Sequence, residues 1–85
     1  MLEHADIVKV EVLEGYKLKL FFEDGSCGDV NLEELIPFQG IFEPLEDLEF
    51  FNKVFVNTDI GTICWENGAD LSPEFLYSQI KNNIQ

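Results

Sequence analysis

Val8, Val10 and Val12 alternate with Lys9 and Glu11, and Tyr16, Leu18, Leu20 and Phe22 alternate with Lys17, Lys19 and Phe21. A period of two predicts two amphipathic strands, each with one face turned to a core. The loop between them follows from keeping the apolar faces together. A two-residue Glu14-Gly15 loop would pair Leu18 with Glu11. A three-residue Leu13-Glu14-Gly15 loop, with glycine in the left-handed position, instead sets Val12 against Tyr16, Val10 against Leu18 and Val8 against Leu20. Glu11 then faces Lys17. The same test after Phe22 rejects an Asp-Gly two-residue turn, which would bring Asp29 and Asn31 onto the buried face. A Glu23-Asp24-Gly25 loop sets Val30 against Leu18, Leu32 against Tyr16 and Gly28 beside Leu20. The first third therefore reads as a three-stranded antiparallel meander.

Asn31, followed three residues later by Glu34, reads as a helix N-cap with a reciprocal carboxylate, and Pro37 limits that helix to about one turn. After a Gly40 turn, the apolar spacing predicts a short helix near Asp47 to Asn52 that packs Leu48 and Phe51 on the sheet. Val54 to Thr58 and Thr62 to Trp65 flank an Asp59-Ile60-Gly61 loop, giving a second hairpin in which Phe55 faces Trp65 and Val56 faces Cys64. Asn67-Gly68 marks a turn. Ser72-Pro73-Glu74 reads as N-cap, first helical residue and acidic first turn, after which Leu76, Tyr77, Ile80 and Ile84 form one stripe with Phe75 at its edge. The expected class is α+β: a small antiparallel sheet, built from the meander and the second hairpin, with a short middle helix and a C-terminal helix, in one domain over residues 1–85.

Charge narrows the function. Among 85 residues there are 17 Asp and Glu against five lysines and no arginine, a formal net charge of −12. No basic stripe is available to neutralise phosphates or fork onto a base edge, so direct nucleic-acid binding is not expected. Anionic lipid is repelled, no window approaches a membrane helix, and the first residues lack the features of a secretory signal, so a cytoplasmic location is expected. With 46% apolar and 13% aromatic residues the chain is nonetheless too hydrophobic to stay unfolded. Cys27 and Cys64 read as reduced small hydrophobes rather than a disulfide, and their spacing fits no zinc site.

Little in the chain points to catalysis. His4, the one histidine, sits near a terminus and is a poor general base candidate. Neither cysteine has a basic neighbour in sequence to lower its pKa. The acidic run Glu43, Glu46, Asp47 and Glu49 suits a helix's opening turn and solvent better than a hard-cation site. No phosphate loop, nucleophile elbow or metalloprotease helix is present, and no cofactor is expected.

One stretch stands out: Cys64-Trp65-Glu66-Asn67-Gly68-Ala69-Asp70-Leu71-Ser72-Pro73, followed by Leu76 and Tyr77. Two readings compete. In one, Asp70 and Ser72 serve backbone turns while Trp65 fills core beneath the helix. In the other, Trp65, Asn67 and Asp70, with Tyr77 nearby, form an exposed aromatic and polar edge on which a partner or ligand docks.

The chain resembles a bacterial family catalogued as domain of unknown function 2442, DUF2442, over nearly its whole length. The likeness runs through the Tyr16-x-Leu18-x-Leu20 strand into Asp24-Gly25, then Asp29-Val30-Asn31-Leu32, Gly40-Ile41-Phe42 with Leu45, and Phe51 with Val54. Its most specific piece is Trp65-x-Asn67-Gly68-Ala69-Asp70-Leu71-Ser72-Pro73 with Leu76-Tyr77. Members usually have proline after the tryptophan, where this chain has Glu66, which implies a less rigid turn. The resemblance implies a compact α+β domain without established catalytic residues, from a family whose genes often stand beside small partners in toxin–antitoxin-like arrangements. The helix-turn-helix appended in some longer members is not in this sequence.

These readings lead to a noncatalytic interaction domain, an antitoxin-like acidic partner whose charge speeds and orients encounter with a basic protein. The alternative is a small ligand-binding or accessory domain with a cleft near Trp65 and Asp70. Charge that serves only solubility is the plainest account of the −12. The small core and many aromatics also suggest a homodimer.

Overall fold

The computed structural model describes residues 5–82, so the expectations for His4 and Ile84 lie outside the described residues. The strands are β1 (Ile7–Val12), β2 (Lys17–Phe22), β3 (Cys27–Asn31), β4 (Phe55–Asn57) and β5 (Thr62–Cys64). The helices are α1 (Leu32–Leu35), α2 (Leu48–Phe51) and α3 (Pro73–Asn82), with a 3-10 helix at Gly40–Glu46. β1, β2 and β3 form an antiparallel meander in that order, and β4 and β5 form a separate two-stranded hairpin. The architecture is α+β.

The β2–β3 register is the expected one: Leu18 pairs with Val30 and Leu20 with Gly28, and Leu32 N–H donates to the Tyr16 carbonyl at 3.0 Å. The Glu23-Asp24-Gly25 loop closes through Phe22 N–H to Ser26 C=O at 2.8 Å, and Asp24 Oδ1 accepts from Ser26 N–H at 2.9 Å. Gly28 lets α3 approach the strand backbone, because a Cβ there would lie 2.9 Å from Ile80 Cβ.

The β1–β2 register differs from expectation by two residues. Val12 pairs with Leu18, Val10 with Leu20 and Glu11 with Lys19. The turn is centred on Gly15 and Tyr16, closed by Lys17 N–H to Glu14 C=O at 3.2 Å, with Gly15 at φ +63° in the first central position. Tyr16 thereby leaves the strand. Its ring sits edge-on to Phe38 and Phe51, centroids 5.1 and 5.2 Å away, and its hydroxyl donates to the Glu46 carbonyl. Near Ile7 a bulge breaks the ladder, so Ile7 is buried opposite Phe22 while Val8, expected on the apolar face, is 54% exposed.

The second hairpin is shifted by one residue: Phe55 pairs with Cys64 and Val56 with Ile63. Asn57 causes the shift. Its Oδ1 accepts from Asp59 N–H at 2.9 Å and its carbonyl from Gly61 N–H at 2.8 Å, which makes a four-residue loop over residues 58–61. Phe55 is consequently exposed, and the expected Phe55–Trp65 pair does not form.

α1 has the expected Asn31 cap, whose Oδ1 accepts from Glu33 N–H at 3.1 Å. α2 is capped by Asp47, Oδ1 accepting from Glu49 N–H at 3.0 Å. Phe51 enters the core as expected, whereas Leu48 remains 43% exposed because this single turn offers only one face to the sheet. α3 begins at Pro73 with Ser72 Oγ accepting from Phe75 N–H at 3.2 Å, and buries Leu76 and Ile80. The core lies between the inner face of the meander (Leu18, Leu20, Phe22, Val30) and a layer formed by Leu45, Phe51, Ile63, Trp65, Leu76 and Ile80.

Candidate functional site

Trp65 follows β5 directly and is only 2% exposed. Its indole N–H donates to the Phe51 carbonyl at 3.0 Å, and the two rings lie 5.9 Å apart. Of the two readings of this residue, the buried one is what forms and the exposed aromatic edge does not: Trp65 is a wall of the core, and its one polar atom is already satisfied.

Asn67 stands on the surface but is occupied by backbone. Its Oδ1 accepts from Ala69 N–H at 3.1 Å and its Nδ2 donates to the Ile41 carbonyl at 3.0 Å. The turn is closed by Gly68 N–H to Trp65 C=O at 3.0 Å and Trp65 N–H to Ala69 C=O at 2.9 Å, and it forms with Glu66 where proline was the family expectation. Asp70 is exposed and makes an isolated antiparallel bridge with Cys64. Burial pushes the Cys64 thiol above its ordinary pKa, the Asp70 carboxylate adds to this, and a hydrogen bond from Asn57 opposes it. A thiol held protonated in this way is a poor nucleophile.

Tyr77 is half-buried on α3, edge-on to Phe22 at 5.1 Å, and its hydroxyl donates to Asp24 Oδ2 at 2.6 Å. The four predicted site residues are thus not one cleft. Trp65, Asn67 and Asp70 belong to one tight turn, while Tyr77 ties the last helix to the β2–β3 loop.

A family model described as a protein of unknown function, DUF2442, matches residues 7–82. The chain belongs to the DUF2442 family. No curated protein and no solved structure matches it. Several pieces that carried the resemblance in sequence meet in space in this DUF2442 domain. Asp24 holds Tyr77, the Ile41 carbonyl accepts from Asn67, and the Tyr16 carbonyl accepts from Leu32. These contacts hold loops and elements together.

Two surface regions were missed by sequence reasoning. One is a shallow open depression of about 190 Å³ lined by Lys17, Asp29, Val30, Asn31 and Glu34. Its charged side chains, Lys17, Asp29 and Glu34, are exposed to solvent, and nothing in the sequence pattern marked it because its residues come from two strands and a helical turn. The other is the outer face of the meander. Lys9 and Lys19 hold their ammonium groups 5.2 and 5.5 Å from the Phe21 ring centroid, and Lys9 Nζ lies 3.3 Å from Glu11 Oε2. The alternation of β2 already placed Lys17, Lys19 and Phe21 together on this face. Among the described residues no group of three or more His, Cys, Asp and Glu is arranged to hold a metal, and no helix is long and apolar enough to cross a membrane.

Proposed function

We propose that this domain acts by noncatalytic protein contact, as the acidic, antitoxin-like member of a pair whose partner is basic. The observation that carries the reading is the segment between Leu32 and Asn52. It contains Glu33, Glu34, Glu43, Glu46, Asp47 and Glu49 and no lysine, and all six carboxylate residues are exposed. Ile41 and Leu48 lie exposed among them, 49% and 43% accessible, so apolar anchors stand inside an acidic surround. The segment is held in place at two points: Tyr16 donates to the Glu46 carbonyl and Asn67 to that of Ile41. A surface fixed before encounter loses less entropy on binding, and its field steers a cationic partner toward it.

The ligand-cleft reading has less to rest on, because a molecule reaching the Trp65 ring must first open the core. The test is capture of partners from the native host by the intact chain at low and at high salt. A basic protein released by salt, and lost when Glu43, Glu46 and Glu49 are changed together to Gln, is the expected result. Capture that is indifferent to both salt and the triple substitution, or turnover of a substrate by the purified chain, would defeat the proposal.

A further inference from the structure

We infer that β1 is a self-complementary edge through which two copies of this chain pair antiparallel, centred on Val10. β1 is the outer strand of the meander. Leu13 N–H donates to Lys17 C=O at 2.9 Å, which sets the alternation of the ladder. Glu11 and Lys9 therefore sit at positions hydrogen-bonded to β2, while Val10 and Val12 direct their N–H and C=O groups outward. Among the described residues no backbone group outside the sheet receives them. The Gly61 carbonyl takes the Ile7 N–H at 2.9 Å, so the second hairpin, which packs against β1, caps the start of the edge, and no backbone bond joins it to Val8, Val10 or Val12 among the described residues. Val8 and Val12 are 54% and 40% exposed.

The sequence of the edge selects its occupant. In an antiparallel pair centred on Val10, Val10 meets Val10 of the second copy, Val8 meets Val12, and Lys9 meets Glu11. The two-fold axis gives every contact twice. The Val10 pair exchanges both main-chain hydrogen bonds, so Lys9 and Glu11 fall at the intervening position, where side chains approach more closely. The ion pair that Lys9 and Glu11 make within one chain becomes an alternating ring of four charges. The opposite edge fails the same test. β3 (Cys27–Asn31) carries Asp29 and no cation, so self-pairing there brings like charges together. A pair at β1 joins two meanders into one six-stranded sheet and covers the exposed valines.

Sedimentation equilibrium of the full chain, at moderate salt to screen the net charge of each copy, tests the inference. Expected is a mass that rises from one chain to two with concentration. Lys9→Glu sets like charges against each other twice and weakens the dimer on the order of tenfold or more. Pairing it with Glu11→Lys restores the dimer. Val10→Pro removes the outward donor without touching the β2 ladder and leaves a folded monomer by circular dichroism. A wild-type chain that stays monomeric to hundreds of micromolar overturns the inference. So does a dimer that neither Lys9→Glu nor Val10→Pro weakens, or a double charge swap that folds but stays as weak as the single variant.

Discussion

The Tyr77 hydroxyl reaches across 53 positions of sequence to donate to Asp24 Oδ2 at 2.6 Å, linking the C-terminal helix to the β2–β3 loop. Asp24 serves both ends of this link, because its other oxygen closes the loop at Ser26 N–H. Tyr77→Phe keeps the edge-on contact with Phe22 and is expected to lose about 1 kcal/mol of stability in urea unfolding. Asp24→Ala removes both bonds and costs more. The double variant falls short of the sum, since the two substitutions share one bond.

Gly61 is expected to tolerate a side chain less well than Gly15. Its φ is +71°, and a Cβ would stand 2.5 Å from Asp6 Cγ. Gly61→Ala should cost about 1–2 kcal/mol, the left-handed backbone penalty plus the displacement of the Asp6 carboxylate, whereas Gly15→Ala, at φ +63° with nothing within 4 Å, costs only the left-handed backbone penalty of about 1 kcal/mol. Equal melting temperatures for the two variants would contradict this ranking.

Trp65 should report a dry environment. Its emission is expected to be blue-shifted and poorly quenched by acrylamide in the folded protein, moving red on unfolding. Trp65→Phe removes one of two donors to the Phe51 carbonyl, which keeps Val54 N–H at 3.2 Å, and opens space beside Phe51, with an expected loss of about 1–3 kcal/mol, most of it from the cavity.

The buried thiol gives the fold an alkaline weakness. Because the Cys64 pKa is raised in the native state, the unfolded chain releases this proton first as pH rises. The contribution is intact below the unfolded thiol's pKa of about 8.5 and is lost progressively above it. Thermal unfolding of the wild type and of Cys64→Ala, followed from neutral to alkaline pH, should show a steeper decline for the wild type. Alkylation at neutral pH should mark exposed Cys27 well before Cys64.

How much was legible in the sequence depends on where burial breaks symmetry. The β2–β3 register could be read because the competing Asp-Gly turn, a one-residue shift, buried Asp29 and Asn31. The β1–β2 register could not be fixed by that logic, since a shift of two residues keeps every side chain on its face, and the deciding factor was Tyr16 leaving the strand to meet Phe38 and Phe51. In the second hairpin Thr62, Ile63 and Cys64 are all buried, so alternation had no polar face to protect and Asn57 set the loop instead. The Trp65–Pro73 stretch was recognisable as special, and one of its two readings, core beneath a turn, is what the residues form. The bond from Asn67 to Ile41 had no sequence signal, because a carbonyl 26 positions away looks like any other.

Gly28 has a wider consequence for how the domain tolerates change. With only a hydrogen atom between β3 and Ile80, the clearance of the closing helix is set by Ile80 Cβ, which is fixed to the helix main chain and cannot rotate away. Enlarging neighbours on the inner face can be absorbed by rotamer adjustment, but a single methyl at this locus wedges the terminal helix outward and wets Leu76 and Ile80 together. The seam between the meander and the last helix thus hangs on an atom that is missing.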